Sequence, residues 1–148
     1  MDRHIALTLV LLGSMQLSAA TEQKELLIHF EKDSASLDAE ATAELDAFLS
    51  VLPINGDYHF TVEGHTDSDG SFAFNDALAD SRATTVQTYL VRHGADPALV
   101  DIGYRGERSP IASNANAVGM ALNRRVRLLF TRNVFANVDE LRQALREG

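Results

Sequence analysis

The 148-residue chain contains no cysteine, and this absence limits both its covalent cross-links and its means of anchoring. Without cysteine there is no disulfide, so a hydrophobic core must hold the fold together unaided. No cysteine-linked lipid anchor is expected either. Basic residues are also scarce, since 13 lysines and arginines stand against 21 aspartates and glutamates, for a net charge of −8. Nucleic acids and anionic membrane surfaces attract basic proteins, so we expect neither as a ligand.

Long hydrophobic segments are the second thing the chain lacks. Its longest apolar run, Ile5–Leu17, is shorter than the ~20 residues that span a bilayer. The run follows a short segment containing Arg3 and precedes the small residues Ser18-Ala19-Ala20, which is the order of a secretory signal. We therefore predict a signal peptide at residues 1–20, with cleavage after Ala20.

The rest of the chain is long enough for one domain with one core. It leaves no room for an eight-stranded membrane barrel, whose strands of about 9–11 residues would use most of it. We expect a domain at residues 21–131 and a C-terminal helical extension at residues 132–148. In that extension apolar residues recur at helical spacing, namely Val134, Val138, Leu141 and Leu145.

Hydrophobic periodicity predicts four strands and three helices in the domain. The strands are Glu25–Phe30, Tyr58–Val62, Asp101–Arg105 and Arg124–Thr131, and the helices are Leu37–Leu52, Phe72–His93 and Ala117–Leu122. Ser36 is the predicted N-cap of the first helix, and Gly94 is placed just beyond the second. This alternation favours an α+β fold with helices packed on one mixed sheet.

One segment suggests a ligand site. Asp67 follows the second predicted strand, and Arg82 lies in the next helix, seven residues after Asn75 and therefore on the same helix face. Helical side chains lean toward the N-terminus, so Arg82 can reach back toward Asp67. Such a site offers an acceptor for an ammonium and a fork for a carboxylate, as a zwitterion requires. An ordinary Asp67–Arg82 salt bridge that pins the loop to the helix is an equal alternative on spacing alone.

Two neighbouring patterns resemble metal sites only in part. His59 and His65 have no third ligand at a convincing spacing, so we expect structural hydrogen bonds instead of zinc. The run Asp67-Ser68-Asp69-Gly70 lacks the further acidic positions of a calcium loop and is typical of a turn. We therefore predict neither metal nor cofactor.

Many spaced positions together resemble the OmpA-like C-terminal domain family, the type found in OmpA, Pal and MotB. The resemblance runs from about Leu26 to Phe130. It rests on Gly64-His65-Thr66-Asp67, Gly70, Asn75, Leu78, Arg82-Ala83 and Asn123-Arg124-Arg125-Val126. Two positions depart from the family's usual pattern: Ala79 stands where a serine is usual, and Met120 replaces a frequent arginine. These departures bear on affinity and fine specificity.

The resemblance implies a βαβαβ-β fold, with two main helices on one mixed four-stranded sheet. It also implies noncovalent binding of peptidoglycan through the diaminopimelate of the stem peptide, linking the cell wall to the outer envelope. The protein would be periplasmic and associated with the outer membrane through partners. Asp67 would take the diaminopimelate amino group and Arg82 its carboxylate. The other residues implied at the ligand are Asn75, Asp33, Thr66 and Arg124.

Two other function classes compete with wall binding. A hydrolase would need carboxylates of separated pKa, and the local set is Asp67 with Glu63 or Asp69. Arg82 would lower the pKa of a nearby acid when a general acid needs it raised, so we do not expect an enzyme. A protein-interaction domain of an envelope complex stays open, because the predicted helix in residues 132–148 could dock a neighbour.

Overall fold

The computed structural model of the protein describes residues 21–133 together with Arg142 and Arg146, both of which are helical. In chain order the elements are β1 (Thr21–His29), α1 (Ala39–Ser50), β2 (Tyr58–His65), α2 (Phe72–Arg92), a short 3₁₀ helix (Pro97–Leu99), β3 (Val100–Gly106), α3 (Ala117–Asn123) and β4 (Arg125–Asn133). The predicted signal peptide and most of the predicted C-terminal extension lie outside the described residues, and Arg132 and Asn133, the first two residues of that extension, belong to β4.

The four strands form one sheet in the order β1-β4-β2-β3. β4 runs antiparallel to both β1 and β2, whereas β3 runs parallel to β2. The parallel pair is joined by α2, as a parallel connection requires a crossover. The predicted mixed four-stranded sheet with two main helices is confirmed. Within the described residues, no helix is both long enough and apolar enough to cross a membrane.

The core lies between the two main helices and one face of the sheet. Three aromatic rings meet at its centre: Phe60 lies 5.7 Å from Tyr58 and 5.3 Å from Phe130, measured between ring centroids. Aliphatic side chains from every layer surround them, including Ile28, Leu45, Val62, Val86, Leu90, Val126 and Leu128, all fully buried. Burying this apolar surface is the main source of stability in a chain without disulfides.

The ends of the first helix differ from the prediction. Asp38, and not Ser36, is the N-cap of α1, and its Oδ1 accepts a hydrogen bond from the Ala41 N–H at 2.8 Å. The backbone N–H of Ser36 instead donates to Ser34 Oγ in the preceding turn. Aspartate and serine cap helices about equally well, so the choice falls to the residue that the incoming loop places at the start. The helix also ends before Leu52.

The second helix begins and ends close to the predicted positions. Ser71 caps its start by accepting from the Phe74 N–H at 3.1 Å, and Gly94 follows its end with φ +104°. Gly64 determines how closely this helix approaches the sheet, because a Cβ there would overlap the backbone carbonyl of Ala79. The missing side chain therefore lets α2 lie directly on β2. This contact brings the buried face of α2 to the end of β2, where the predicted ligand residues begin.

Candidate functional site

Asp67 lies just past the end of β2 and is 5% exposed. Its Oδ1 accepts from the backbone N–H of Asp69 at 3.1 Å, and its Oδ2 accepts from an Nη1–H of Arg124 at 3.2 Å. The ion partner of this carboxylate is therefore Arg124, the residue that directly precedes β4. A direct Asp67–Arg82 salt bridge, the alternative that sequence spacing left open, does not hold the loop in place.

Arg82 is fully buried and is held by backbone carbonyl groups. Its guanidinium donates to the carbonyl oxygens of Ser34 at 2.8 Å, His65 at 2.9 Å and Glu31 at 3.0 Å, and it lies over the ring of Phe30. These bonds use three of the five guanidinium N–H groups. The side chain thereby joins the end of β2 to the loop that follows β1.

The charge on Arg82 persists despite its burial. The pKa of Arg82 is lowered to about 10, mainly by the loss of solvation and also by the positive charge of Arg124, while Asp67 and Asp33 oppose both effects. The guanidinium is thus a cation at neutral pH. A buried cation beside a nearly buried carboxylate is a polarised environment of the kind found at ligand sites.

The side chains of Asn75 and Thr66 donate hydrogen bonds to the backbone carbonyl of Asp67. The Asn75 Nδ2 donates to the Asp67 carbonyl at 3.3 Å and to Glu107 Oε2 at 3.2 Å. The Thr66 hydroxyl donates to the same carbonyl at 2.9 Å, and the Thr66 N–H donates to the Gly106 carbonyl. Both side chains are almost fully buried. They fix the main chain that carries the carboxylate.

Asp33 lies at the rim of the site, exposed on the loop between β1 and α1. Its φ of +54° is unusual for a residue other than glycine, and aspartate tolerates this region better than most. Beside it, the Lys32 Nζ pairs with Asp69 Oδ2 at 3.0 Å and bridges this loop to the one after β2. A depression of about 340 Å³ opens here, lined by Lys32, Asp33, Asp69, Gly70 and Phe74.

The structure thus brings the six predicted residues together, in three roles. Asp67, Arg82 and Arg124 form a connected charged cluster, Asn75 and Thr66 support it, and Asp33 borders it. The contributions of Glu31 and Ser34 were missed, because a backbone carbonyl leaves no mark in a sequence. Glu107 was not among the predicted ligand residues, because its bond to Asn75 depends on a loop conformation that periodicity does not predict.

The two histidines belong to separate pairs. His59 Nε2 lies 2.9 Å from Asp101 Oδ2, and His65 Nε2 lies 2.8 Å from Glu63 Oε1. Among the described residues, no group of three or more metal-ligating side chains converges. Burial lowers the pKa of His65, and the charge of Arg125 lowers it further, although Glu63 opposes both.

Glu63 does not have the environment of a general acid. Its partial burial raises its pKa, but the hydrogen bond from Arg105 and the interaction with His65 outweigh that effect, and the net pKa is lowered. The carboxylate is therefore ionised at neutral pH.

The sequence profile of the OmpA family matches residues 29–124. The chain belongs to the OmpA family. The predicted resemblance is thereby confirmed. All six predicted ligand residues lie inside the matched range, which ends at Arg124.

Two relatives each match this chain over about two thirds of its length. The peptidoglycan-associated lipoprotein of Pseudomonas putida is 40% identical over 100 residues, covering 68% of this chain and 60% of that protein. Outer membrane porin F of Pseudomonas aeruginosa is 36% identical over 104 residues, covering 69% of this chain and 29% of the porin. The OmpA-family chain therefore spans less than two thirds of either relative.

A solved structure gives the same result at the level of the fold. The crystal structure of the peptidoglycan-associated lipoprotein from Burkholderia pseudomallei superposes with a TM-score of 0.66 at 28% identity. The superposition covers 70% of this chain and 88% of the other. The βαβαβ-β fold implied by the resemblance is thus confirmed.

Proposed function

We propose that this OmpA-family domain binds peptidoglycan noncovalently, through the diaminopimelate of the stem peptide. The observation that carries the proposal is the cluster of Asp67, Arg82 and Arg124, which combines a nearly buried carboxylate with two guanidinium groups. The name of the Pseudomonas putida relative, a peptidoglycan-associated lipoprotein, supports the same ligand. On this proposal the protein acts in the periplasm and links the cell wall to the outer envelope, with other envelope proteins as partners.

The geometry suggests how one end of diaminopimelate would be held. The Asp67 carboxylate accepts two hydrogen bonds in the free protein, and a carboxylate has about four acceptor positions, so it retains capacity for an ammonium. The ligand carboxylate would use the two remaining N–H groups of Arg82, with Arg124 beside it. Asn75 and Thr66 keep Asp67 in position, and Asp33 borders the entrance.

On this proposal, most of the specificity for the ligand comes from the contacts of this charged cluster. The chain carries a net charge of −8, and peptidoglycan is itself rich in carboxylates, so long-range attraction does not bring them together. The contacts in the site must also offset the entropy lost when a stem peptide is ordered. We therefore expect modest affinity for one isolated stem peptide and stronger attachment when several domains act on one wall.

Binding without catalysis fits the electrostatics of the site. The pKa of Glu63 is lowered, so this carboxylate is not prepared to deliver a proton at neutral pH, and Asp67 is held in an ion pair with Arg124. We propose that the domain holds its ligand and does not cleave it.

Co-sedimentation with purified sacculi tests the proposal. Wild-type protein should pellet with diaminopimelate-type sacculi, and Asp67→Asn should lower the affinity roughly 10-fold or more, because a charge-assisted contact is worth about 1.5–3 kcal/mol. Asp46→Asn is the matched control, since this exposed carboxylate on α1 pairs with His93 away from both the site and β3. Undiminished pelleting of a folded Asp67→Asn variant would contradict the site. Equal retention on lysine-type sacculi would contradict diaminopimelate as the determinant.

A further inference from the structure

β3 lies at one edge of the sheet, and within the described residues it pairs only with β2. Every residue from Asp101 to Arg105 is exposed. An edge strand presents backbone N–H and C=O groups that can pair with another chain, and soluble proteins usually block such edges with proline, bulges or like charges. The segment Asp-Ile-Gly-Tyr-Arg has no proline, and its two charges are of opposite sign. Its one irregularity is a register shift against β2 at Arg105, the last residue of the segment, because Gly64 pairs with Tyr104 and His65 with Gly106.

Apolar side chains occupy the same edge. Ile102 is 39% exposed and Tyr104 is 49% exposed, on either side of Gly103. A Cβ added at Gly103 would meet nothing within 4 Å, so the space above the middle of the strand is open. The edge therefore combines two exposed apolar side chains with a strand that, within the described residues, pairs on one side only.

We propose that β3 pairs antiparallel with β3 of a second copy of this chain, with the two-fold axis at Gly103. In this register Asp101 lies opposite Arg105 of the second copy, and the two-fold axis repeats the pair. Ile102 likewise lies opposite Tyr104 of the second copy. Directly opposed residues share a face with Cβ atoms about 4.5–5.5 Å apart, so the charged pairs and the apolar pairs each form on their own face.

The charges also select this register. Moving the axis to Tyr104 would place Asp101 opposite Glu107, two like charges, and moving it to Ile102 would remove both ion pairs. A shift by one residue would put the charged and apolar side chains on conflicting faces. Asp101 and Arg105 already contact His59 and Glu63 within the chain, yet their side chains remain 74% and 61% exposed, so both are free to meet a second copy.

Self-pairing has a consequence for wall attachment, and this consequence alone rests on the proposed function. The ligand cluster adjoins the carboxyl end of β3, where the Gly106 carbonyl accepts from Thr66. Antiparallel pairing places the two carboxyl ends about 20 Å apart along the strand direction, given about 3.3 Å per residue. The dimer would thus engage two separate stem peptides at once.

Sedimentation velocity with charge-swap variants tests the interface. A contact of five residue pairs is small, so we expect a dissociation constant of roughly 10 μM to 1 mM for the wild type. Asp101→Arg and Arg105→Asp should each weaken self-association about tenfold or more, because like charges then face each other. An equimolar mixture of the two variants should associate as the wild type does, since the opposed charges are complementary again. That recovery also shows that both variants are folded.

Three results would overturn the proposal. One is a wild-type chain that stays monomeric to about 1 mM, the weak end of that affinity range. Protection of the β3 amides from hydrogen exchange in such a monomer would mean that another segment of the chain covers the edge. The others are single variants that dimerise like the wild type, which would place the contact elsewhere, and a mixture that fails to associate. None of these results depends on whether the chain binds peptidoglycan.

Discussion

At the scale of single residues, Arg82 both stabilises the fold and takes part in the proposed ligand site. Its three bonds to backbone carbonyls join the end of β2 to the loop after β1, and its remaining N–H groups are the proposed ligand contacts. Asp67 differs, because its carboxylate meets one backbone N–H and the partly exposed Arg124. Replacing Asp67 should therefore disturb the fold less and is the better test of binding. Replacing Arg82 is the better test of stability.

Replacing Arg82 with methionine should lower the free energy of unfolding by roughly 2–5 kcal/mol, because three carbonyl groups lose their donor. Chemical denaturation measures this change. Arg127→Met is the matched control: its partner is Glu25 in an exposed pair, so the loss should stay below about 1 kcal/mol. Equal effects of the two substitutions would contradict the stabilising role given to Arg82.

At the scale of elements, the contact between α2 and β2 determines where the site forms. Gly64 permits it, since a Cβ at this position would overlap the Ala79 carbonyl. The buried face of α2 then carries Asn75 and Arg82 to the end of β2. The position of the ligand cluster therefore depends on a residue that contributes no side chain to it.

Gly64→Ala should destabilise the domain by about 1–3 kcal/mol, because the helix must move away from the strand. It should also weaken sacculus binding, since Asn75 and Arg82 move with the helix. Gly103→Ala is the control: its Cβ has open space, so stability should change by less than about 0.5 kcal/mol at low protein concentration. An unchanged stability for Gly64→Ala would show that the helix adapts without cost.

The order and type of the elements could be predicted from the sequence, because apolar residues recur at helical or strand spacing between segments rich in turn residues. The start of α1 could not, since Ser36 and Asp38 are comparable caps and the incoming loop decides between them. At the site, charge and helical phase placed Asp67, Asn75 and Arg82 together. They did not predict that Arg124 would be the ion partner of Asp67, because this contact joins positions 57 residues apart across the sheet.

At the scale of the whole molecule, the pH dependence of stability reports on the buried His65. Burial lowers the pKa of His65 in the folded state below its ordinary value of 6.5. Below about that pH the unfolded chain therefore binds a proton that the folded chain does not, and stability falls as pH decreases. Above it both states are neutral at this residue, and the contribution is constant.

Acidification from about pH 7.5 to 5.5 should thus lower the free energy of unfolding by up to ~1.4 kcal/mol per pH unit below the ordinary pKa. His65→Gln keeps a donor for Glu63 but does not titrate, so the loss across this interval should be smaller in the variant. Denaturation curves at several pH values measure both slopes. The interval stays above the ordinary pKa of Glu63, 4.5, so carboxylate titration contributes little. Parallel slopes for the two proteins would contradict this account of His65.

Calorimetric titration with synthetic stem peptides tests the central claim most directly. At its side-chain end, a peptide ending in meso-diaminopimelate offers an ammonium and a carboxylate on one carbon, whereas its lysine counterpart offers only the ammonium there. The wild type should bind the diaminopimelate peptide roughly tenfold or more tightly than the lysine peptide, because only the former has a group for Arg82. Asp67→Asn should weaken binding of the diaminopimelate peptide by a similar factor. Equal affinity for both peptides, or a folded Asp67→Asn variant that binds as tightly as the wild type, would contradict the proposed site.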